Sequence, residues 1–108
     1  MKLKNVKINS KALFHFVYKD IYINNFEADN ISCVDDNKDT SIFLFDSNEL
    51  GNSLSINNLN IINSSSNGSF IKIIGNTSEV TIKNSNLNGL ISYGSLIDNL
   101  SIKVLYIN

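Results

Sequence analysis

The feature that most constrains the fold of this chain is an internal repeat of about 28 residues. Dense apolar segments begin at Ala12, Ser41, Ser69 and Ser95, so their starts lie 29, 28 and 26 residues apart. Tandem repeats of about 20 to 50 residues are typical of solenoids, in which each repeat buries its apolar face against its neighbours. The repeat therefore predicts a stack of similar coils, where one coil is one complete circuit of the chain.

A second kind of segment alternates strictly between apolar and polar residues and ends near asparagine. Its copies are Ile21–Asn25, Leu54–Asn58, Val80–Asn84 and, as a predicted fourth, Leu100–Lys103. Successive side chains of a strand point to opposite faces. We therefore expect the apolar members, such as Leu54 and Ile56, to face the core, and Ser55 between them to face outward.

A weaker third segment follows each copy of the second. Its copies are Ile31–Val34, Ile61–Ile62 and Leu90–Ile91. The segment Val6–Asn9 resembles the second kind but begins only 15 residues before Ile21. We interpret it as part of an incomplete first coil.

Asparagine recurs at one place in this repeat. Asn25, Asn58 and Asn84 each end a copy of the alternating segment. Asparagine tolerates the left-handed backbone region that a sharp corner requires, and stacked amides can hydrogen bond to one another. The pattern therefore predicts a corner of the solenoid that carries an asparagine in every coil.

The composition agrees with many short strands joined by turns. Isoleucine occurs 16 times, asparagine 19 times and serine 15 times, while alanine occurs twice and proline is absent. Isoleucine favours pleated surfaces, whereas asparagine and serine favour turns. We predict an all-β parallel β-helix of about four coils with three short strands each. We expect residues 1–108 to form one domain that belongs to a longer repeat array.

Charge and hydropathy argue against several classes of protein. The net charge is −1, and the nine basic residues are all lysines. Arginine is the residue most used for bidentate phosphate and base recognition, so nucleic-acid binding is not expected. No apolar run approaches the ~20 residues of a membrane span. Met1–Asn5 is charged but no apolar segment follows it, so we predict no signal peptide.

The sequence contains no recognisable catalytic or metal-binding constellation. His15 is the only histidine, and its position between Phe14 and Phe16 indicates an outward strand residue. Cys33 is the only cysteine and is expected to be a small buried apolar residue. Asp35–Asp39 has part of the spacing of a calcium loop but lacks its glycine and its bidentate glutamate, so we interpret it as a solvated turn. We predict no cofactor, no metal and no enzymatic activity, including that of the polysaccharide lyases.

The dense apolar segments predict a surface for binding a protein partner. If Phe14 and Phe16 face inward, and Phe43, Phe45, Ile71 and Ile73 do so in the later coils, alternation places their neighbours outward on successive coils. This predicted column comprises Leu13, Ile42, Phe70 and Leu96, with Leu44 beside it. An apolar patch on a soluble protein is often an interface. Two alternatives remain open: another segment covers these residues, or they turn a corner into the core. Tyr18, Tyr22 and Tyr93 are further candidates for contact with a partner or a sugar.

The alternating segments with terminal asparagine, at 21–25, 54–58 and 80–85, resemble right-handed parallel β-helix repeats. The composition is rich in Asn, Ser, Ile and Lys and lacks Arg and Pro, and in this it resembles the repeats of anaerobic gut-fungal scaffoldins. Those are large extracellular proteins whose repeats are thought to act as cohesins for dockerin domains on plant-wall-degrading enzymes. The resemblance implies a role but transfers no binding residue.

We therefore expect a non-catalytic scaffolding module, secreted or on the cell surface, that docks a protein partner such as a dockerin. Neighbouring repeats could also stack end to end. The second hypothesis is a surface adhesin or a carbohydrate-binding solenoid, and the third is a spacer without a binding patch. Five N-x-[ST] sequons, beginning at Asn30, Asn63, Asn67, Asn76 and Asn99, agree with secretion.

Overall fold

The computed structural model describes residues 1–34, 40–47, 51–75, 79–100 and 105–107, and these residues form strands without any helix. The strands in chain order are β1 (Lys2–Ile8), β2 (Ala12–Val17), β3 (Ile21–Cys33), β4 (Ser41–Asp46), β5 (Ser53–Ile62), β6 (Ser65–Ser66), β7 (Ile71–Ile74), β8 (Glu79–Asn88), β9 (Ile91–Ser92), β10 (Ile97–Asn99) and β11 (Leu105–Ile107). Every described pairing is parallel. The fold is an all-β parallel β-solenoid of about three coils, as the repeat predicts.

The four-stranded sheet, sheet 2, contains the dense apolar segments in the order β10-β7-β4-β2. Ala12 pairs with Ser41, Phe43 with Ile71, and Ile71 with Ile97. This register confirms the repeat alignment of these segments. Because four strands bound three complete circuits, the solenoid has about three coils rather than the four predicted.

The seven-stranded sheet, sheet 1, contains long bent strands where separate short strands were predicted. β3 has 13 residues and runs through both the second and the third predicted segments, and β5 and β8 have 10 residues each. Asn25 and Asn30 lie inside β3 with left-handed φ values of 62° and 57°. One left-handed residue bends the chain while the residues on either side stay paired. Each coil therefore has one strand in sheet 2 and one long bent strand in sheet 1, and the later coils add the short third strands β6 and β9 to sheet 1.

Two alignments from the sequence are wrong at the N-terminal side. Val6 pairs with Ile31 in β3, so Val6–Asn9 corresponds to the third predicted segment rather than the second. Ile61 was assigned to the third predicted segment, but it pairs with Ala28, which precedes that segment in β3. Alternating apolar residues occur on every side of the solenoid, so alternation does not identify the side to which a segment belongs.

The last predicted copy of the second segment is also misplaced. Leu105, not Leu100, pairs with Val80. The backbone N–H of Leu100 donates to the carbonyl of Ile73, which extends sheet 2 instead. Residues 101–103 lie outside the described residues.

The core fills the space between the two sheets, and the predicted facing is confirmed where the strands are regular. Leu54, Ile56, Val80 and Ile82 are buried, whereas Ser55 is only partly buried. Inward residues that align in successive strands form continuous apolar stacks. This burial is the main stabilising contribution, because one coil alone could not remove these side chains from water.

Candidate functional site

Two of the four residues in the column predicted as a partner-binding surface lie in the core. Ile42 and Phe70 are 0% and 1% exposed, and both belong to the central apolar cluster. The prediction that they face outward is therefore wrong, and the alternative that they turn into the core is confirmed.

Hydrogen bonding at the starts of β4 and β7 explains this correction. The backbone N–H groups of Ile42 and Phe43 both donate to the carbonyl of Phe70, at 3.0 and 3.1 Å. One coil further, the N–H groups of Phe70 and Ile71 both donate to the carbonyl of Leu96, at 2.9 and 3.2 Å. Two residues opposite one carbonyl form a β-bulge, and a bulge interrupts alternation. Consecutive residues such as Ile42 and Phe43 can therefore both be buried in the core.

Leu44 is also buried, so its predicted accessibility is wrong. It lies outside the central cluster, in register between His15 and Lys72 on the neighbouring strands. Both neighbours carry long or ring-shaped side chains, which can cover a leucine from two sides. Sequence reasoning missed that β4 is buried on both faces. The signal was its uninterrupted apolar run from Ile42 to Phe45, which is typical of strands buried on both faces.

The remaining members of the predicted site differ in exposure. Leu13 is half-buried and Leu96 is 40% exposed, because Leu13 lies on the first strand of sheet 2 and Leu96 directly precedes the last one. Tyr18 and Tyr22 are exposed, as predicted, and Tyr22 is 68% exposed. The structure thus separates the predicted residues into a buried group (Ile42, Leu44 and Phe70), two partly accessible leucines, and two exposed tyrosines near the N-terminal end.

Tyr22 lies on a polar outer surface that we call the Tyr22 wall. The wall consists of the outward residues of three successive strands of sheet 1, namely Tyr22, Asn24, Ser55, Asn57, Thr81 and Lys83. Asn57 Nδ2 donates to Asn24 Oδ1 at 3.3 Å, and Asn84 Nδ2 donates to Asn57 Oδ1 at 2.8 Å. These bonds hold neighbouring amides in fixed positions beside an exposed aromatic ring.

The predicted asparagine corner is confirmed. Asn25, Asn58 and Asn84 have φ values of 62°, 61° and 55°. Asn58 Nδ2 donates to Asn25 Oδ1 at 2.7 Å, as expected for stacked amides. The corner borders the Tyr22 wall and therefore fixes where the wall ends.

A second asparagine corner was missed by sequence reasoning. Asn5, Asn30 and Asn63 have φ values of 60°, 57° and 51°, and Gly89 follows in the next coil with φ 66°. Asn30 Nδ2 donates to Asn5 Oδ1 at 2.8 Å. The signal was a constant spacing, because Asn30, Asn63 and Gly89 each lie five residues after a residue of the first corner.

An apolar cleft opens at the N-terminal end of the solenoid, with a volume of about 210 Å³. We call it the N-terminal aromatic cleft. Its apolar lining is formed by Met1, Phe14, Phe16, Ile23, Phe26 and Phe43. The rings of Phe14 and Phe43 stack with centroids 5.5 Å apart, and Phe26 meets Phe43 edge-on at 4.9 Å. Phe14 and Phe16 were predicted to face inward and do so, but they remain half-buried. The signal for their exposure was their position in the first dense segment, with a neighbouring coil on one side only.

A buried polar cluster surrounds the single thiol. Cys33 is buried as predicted, and burial raises the pKa of its thiol to about 11, although hydrogen bonds with Thr40 and Ser66 partly oppose this shift. Nucleophilic cysteines instead have lowered pKa values and some exposure. The arrangement therefore favours a structural role for Cys33.

His15 is exposed on β2, as predicted. Asp35–Asp39, the turn with partial calcium-loop spacing, lies outside the described residues. Within the described ranges, no three His, Cys, Asp or Glu residues come together in a way that could hold a metal ion. That part of the chain also contains no helix that could cross a membrane.

These features describe a solenoid with a polar wall, two amide corners and an aromatic end. Comparison with known proteins found no matching family model, no matching curated protein and no matching solved structure.

Proposed function

We propose that this chain is a non-catalytic protein-binding module of a scaffold, with the Tyr22 wall as its partner-binding surface. The observation that carries the proposal is the exposed ring of Tyr22 beside amides held in place by hydrogen bonds. Tyrosine provides a large contact area at low cost in conformational entropy, and asparagine and serine add adaptable hydrogen bonds, as in antibody binding sites. The rigid wall would lose little further freedom on binding.

The partner class that we propose is a dockerin domain carried by a plant-wall-degrading enzyme, bound in the manner of a cohesin. The scaffoldin-like composition of the sequence supports this choice. The extracellular location expected from the sequence is compatible with it. Tyr18 is also exposed and directly follows β2, so it is a second candidate for contact with the partner. In this proposal, the buried residues Ile42, Leu44 and Phe70 contribute stability rather than contacts.

The experiment is a binding assay by biolayer interferometry against a panel of purified dockerin domains. We expect the Tyr22→Ser variant to lose about tenfold or more in affinity, as for an aromatic residue at an interface hot spot. Tyr93→Ser is the matched control, because Tyr93 is 70% exposed but lies outside the wall. Equal affinities for the two variants would place the contact elsewhere, and no binding across the panel would reject dockerins as the partner.

The second candidate function is carbohydrate binding by the same wall. It is favoured by the combination of an exposed ring with fixed amide groups, since an aromatic face can stack on a sugar while amides bind hydroxyl groups. A glycan array probed with the wild type and with Tyr22→Ser distinguishes the two. Binding to glycans that is lost in Tyr22→Ser, without binding to dockerins, would favour this candidate.

A further inference from the structure

The side-chain amides of the solenoid are hydrogen bonded in one direction. In each pair, the Nδ2 of the later coil donates to the Oδ1 of the earlier coil. The pairs are Asn57 to Asn24, Asn84 to Asn57, Asn58 to Asn25, Asn30 to Asn5, and Asn86 to Asn60. The series from Asn84 through Asn57 to Asn24 spans three coils, so it leaves an amide donor on Asn24 at its N-terminal side and an amide acceptor on Asn84 at its C-terminal side. Such a series is complementary to a copy of itself placed end to end, but not to one placed in reverse.

The backbone of sheet 2 has the same polarity. β2 and β10 are the two edge strands, and all the pairings between them are parallel. An edge strand presents unpaired N–H and C=O groups that can accept another strand. At the β2 edge, Phe14 and Phe16 also leave the N-terminal aromatic cleft partly open to water.

The observed register shows what one further coil would bring together. Residues in register along sheet 2 run from Phe14 through Phe43 and Ile71 to Ile97, and the adjacent column runs from His15 through Leu44 and Lys72 to Asp98. If the C-terminal end of one molecule continued this register onto the N-terminal end of another, Ile97 would lie beside Phe14. Asp98 would then lie beside His15 on the outer face.

Charge supports the same orientation. Residues 1–11 contain four lysines, namely Lys2, Lys4, Lys7 and Lys11, and no acidic residue. Residues 85–100 contain Asp98 as their one charged residue. The N-terminal segment is therefore basic, although Lys2 pairs with Glu27, and β10 carries one carboxylate. Two N-terminal ends would repel each other, whereas opposite ends would attract.

We propose that the N-terminal aromatic cleft binds the C-terminal end of a second copy of this chain, head to tail, with β10 of one molecule parallel to β2 of the next. This association goes beyond the proposed function, because it uses the ends of the solenoid rather than the Tyr22 wall. A head-to-tail contact leaves one free end on each side, so it produces open-ended oligomers rather than a closed dimer.

The test is analytical ultracentrifugation of the 108-residue chain from micromolar to millimolar concentration. We expect the average mass to rise continuously with concentration. His15→Asp places two carboxylates together at the junction, and Asp98→Lys removes the acidic partner. Each variant should raise the dissociation constant about three- to tenfold, because His15→Asp adds a carboxylate beside Asp98 and Asp98→Lys adds a lysine facing the basic N-terminal segment. The double variant H15D/D98K pairs a carboxylate with a lysine and should return to within about twofold of the wild type.

Ser55→Asp, a change on the outer side of β5, is the matched control and should associate as the wild type does. Tyr22→Ser should also self-associate normally, while His15→Asp should bind a protein partner normally. The two proposals can therefore fail separately. A monomer at all concentrations, a closed dimer, or single variants that associate as tightly as the wild type would overturn head-to-tail association.

Discussion

The strands β4 and β5 differ in how far their side-chain facing could be deduced from alternation. Both lie between two neighbouring strands in their sheets. In β5, burial alternates from Ser53 to Ile56, so that leucine and isoleucine face the core and serines face outward. In β4, every residue from Ser41 to Phe45 is buried.

The difference between these strands teaches that alternation is reliable only where each residue has its own partner in the neighbouring strand. β5 pairs residue by residue with β8 on either side of its corner. At the start of β4, the N–H groups of Ile42 and Phe43 share the carbonyl of Phe70. The extra residue of this bulge shifts the facing within one strand. An apolar column that looks like an outer surface in the sequence thereby becomes part of the core.

The largest expected effect tests the bulged region. Replacing Ile42 and Phe70 together by serine removes two fully buried apolar side chains. Each lesion should cost about 2–5 kcal/mol, and neighbouring lesions do not add exactly as independent ones do. Because a domain of this size has about 5–15 kcal/mol of stability, we expect the double variant to be largely unfolded by circular dichroism. If the variant instead folds and its free energy of unfolding falls by less than about 1 kcal/mol, both residues must lie on the surface.

A smaller effect tests the regular region. Ile56→Asn should lower the free energy of unfolding by about 2–5 kcal/mol, because it places an amide in the core stack. Ser55→Asn, one residue away and partly exposed, should change it by less than about 0.5 kcal/mol. Urea unfolding of both variants gives the comparison directly. Similar losses for the two would mean that the facing of β5 is reversed.

The smallest effect appears only at high pH and tests the burial of Cys33, the last residue of β3. The folded protein has a thiol pKa of about 11, compared with an ordinary value of 9.0, so the unfolded chain ionises first as the pH rises. The thiol therefore stabilises the fold below pH 9, and this contribution is lost between about pH 9 and pH 11, for a total of about 2–3 kcal/mol.

The measurement for Cys33 is the difference in unfolding free energy between the wild type and Cys33→Ala across this pH range. The variant cannot ionise at this position, so the comparison removes the titration of lysines and tyrosines. We expect the wild type to lose stability relative to Cys33→Ala as the pH rises. A difference that stays constant would mean that the thiol contacts water.

Several parts of the candidate site could be predicted, and particular residues show why others could not. The exposure of Tyr22 and His15 and the left-handed corner at Asn58 followed from alternation and from the chemistry of asparagine. The second corner, at Asn30 and Asn63, was predictable from its constant distance to the first corner. It was missed because Gly89 replaces asparagine at this corner in the next coil. The N-terminal aromatic cleft was missed, because Phe14 follows the same pattern as the buried Phe43 and differs from it only in belonging to the first dense segment.

The sequence by itself determined that this protein is a parallel β-solenoid, because a repeat of apolar segments can be buried only by stacking. It also determined the register of sheet 2 and one of the two asparagine corners, since these depend on local spacing and local backbone preference. Only the tertiary structure decided the facing of Ile42 and Phe70 and the burial of Leu44. Those outcomes depend on which carbonyl an N–H group meets and on what lies in the next coil. Both are set by contacts between residues far apart in the chain.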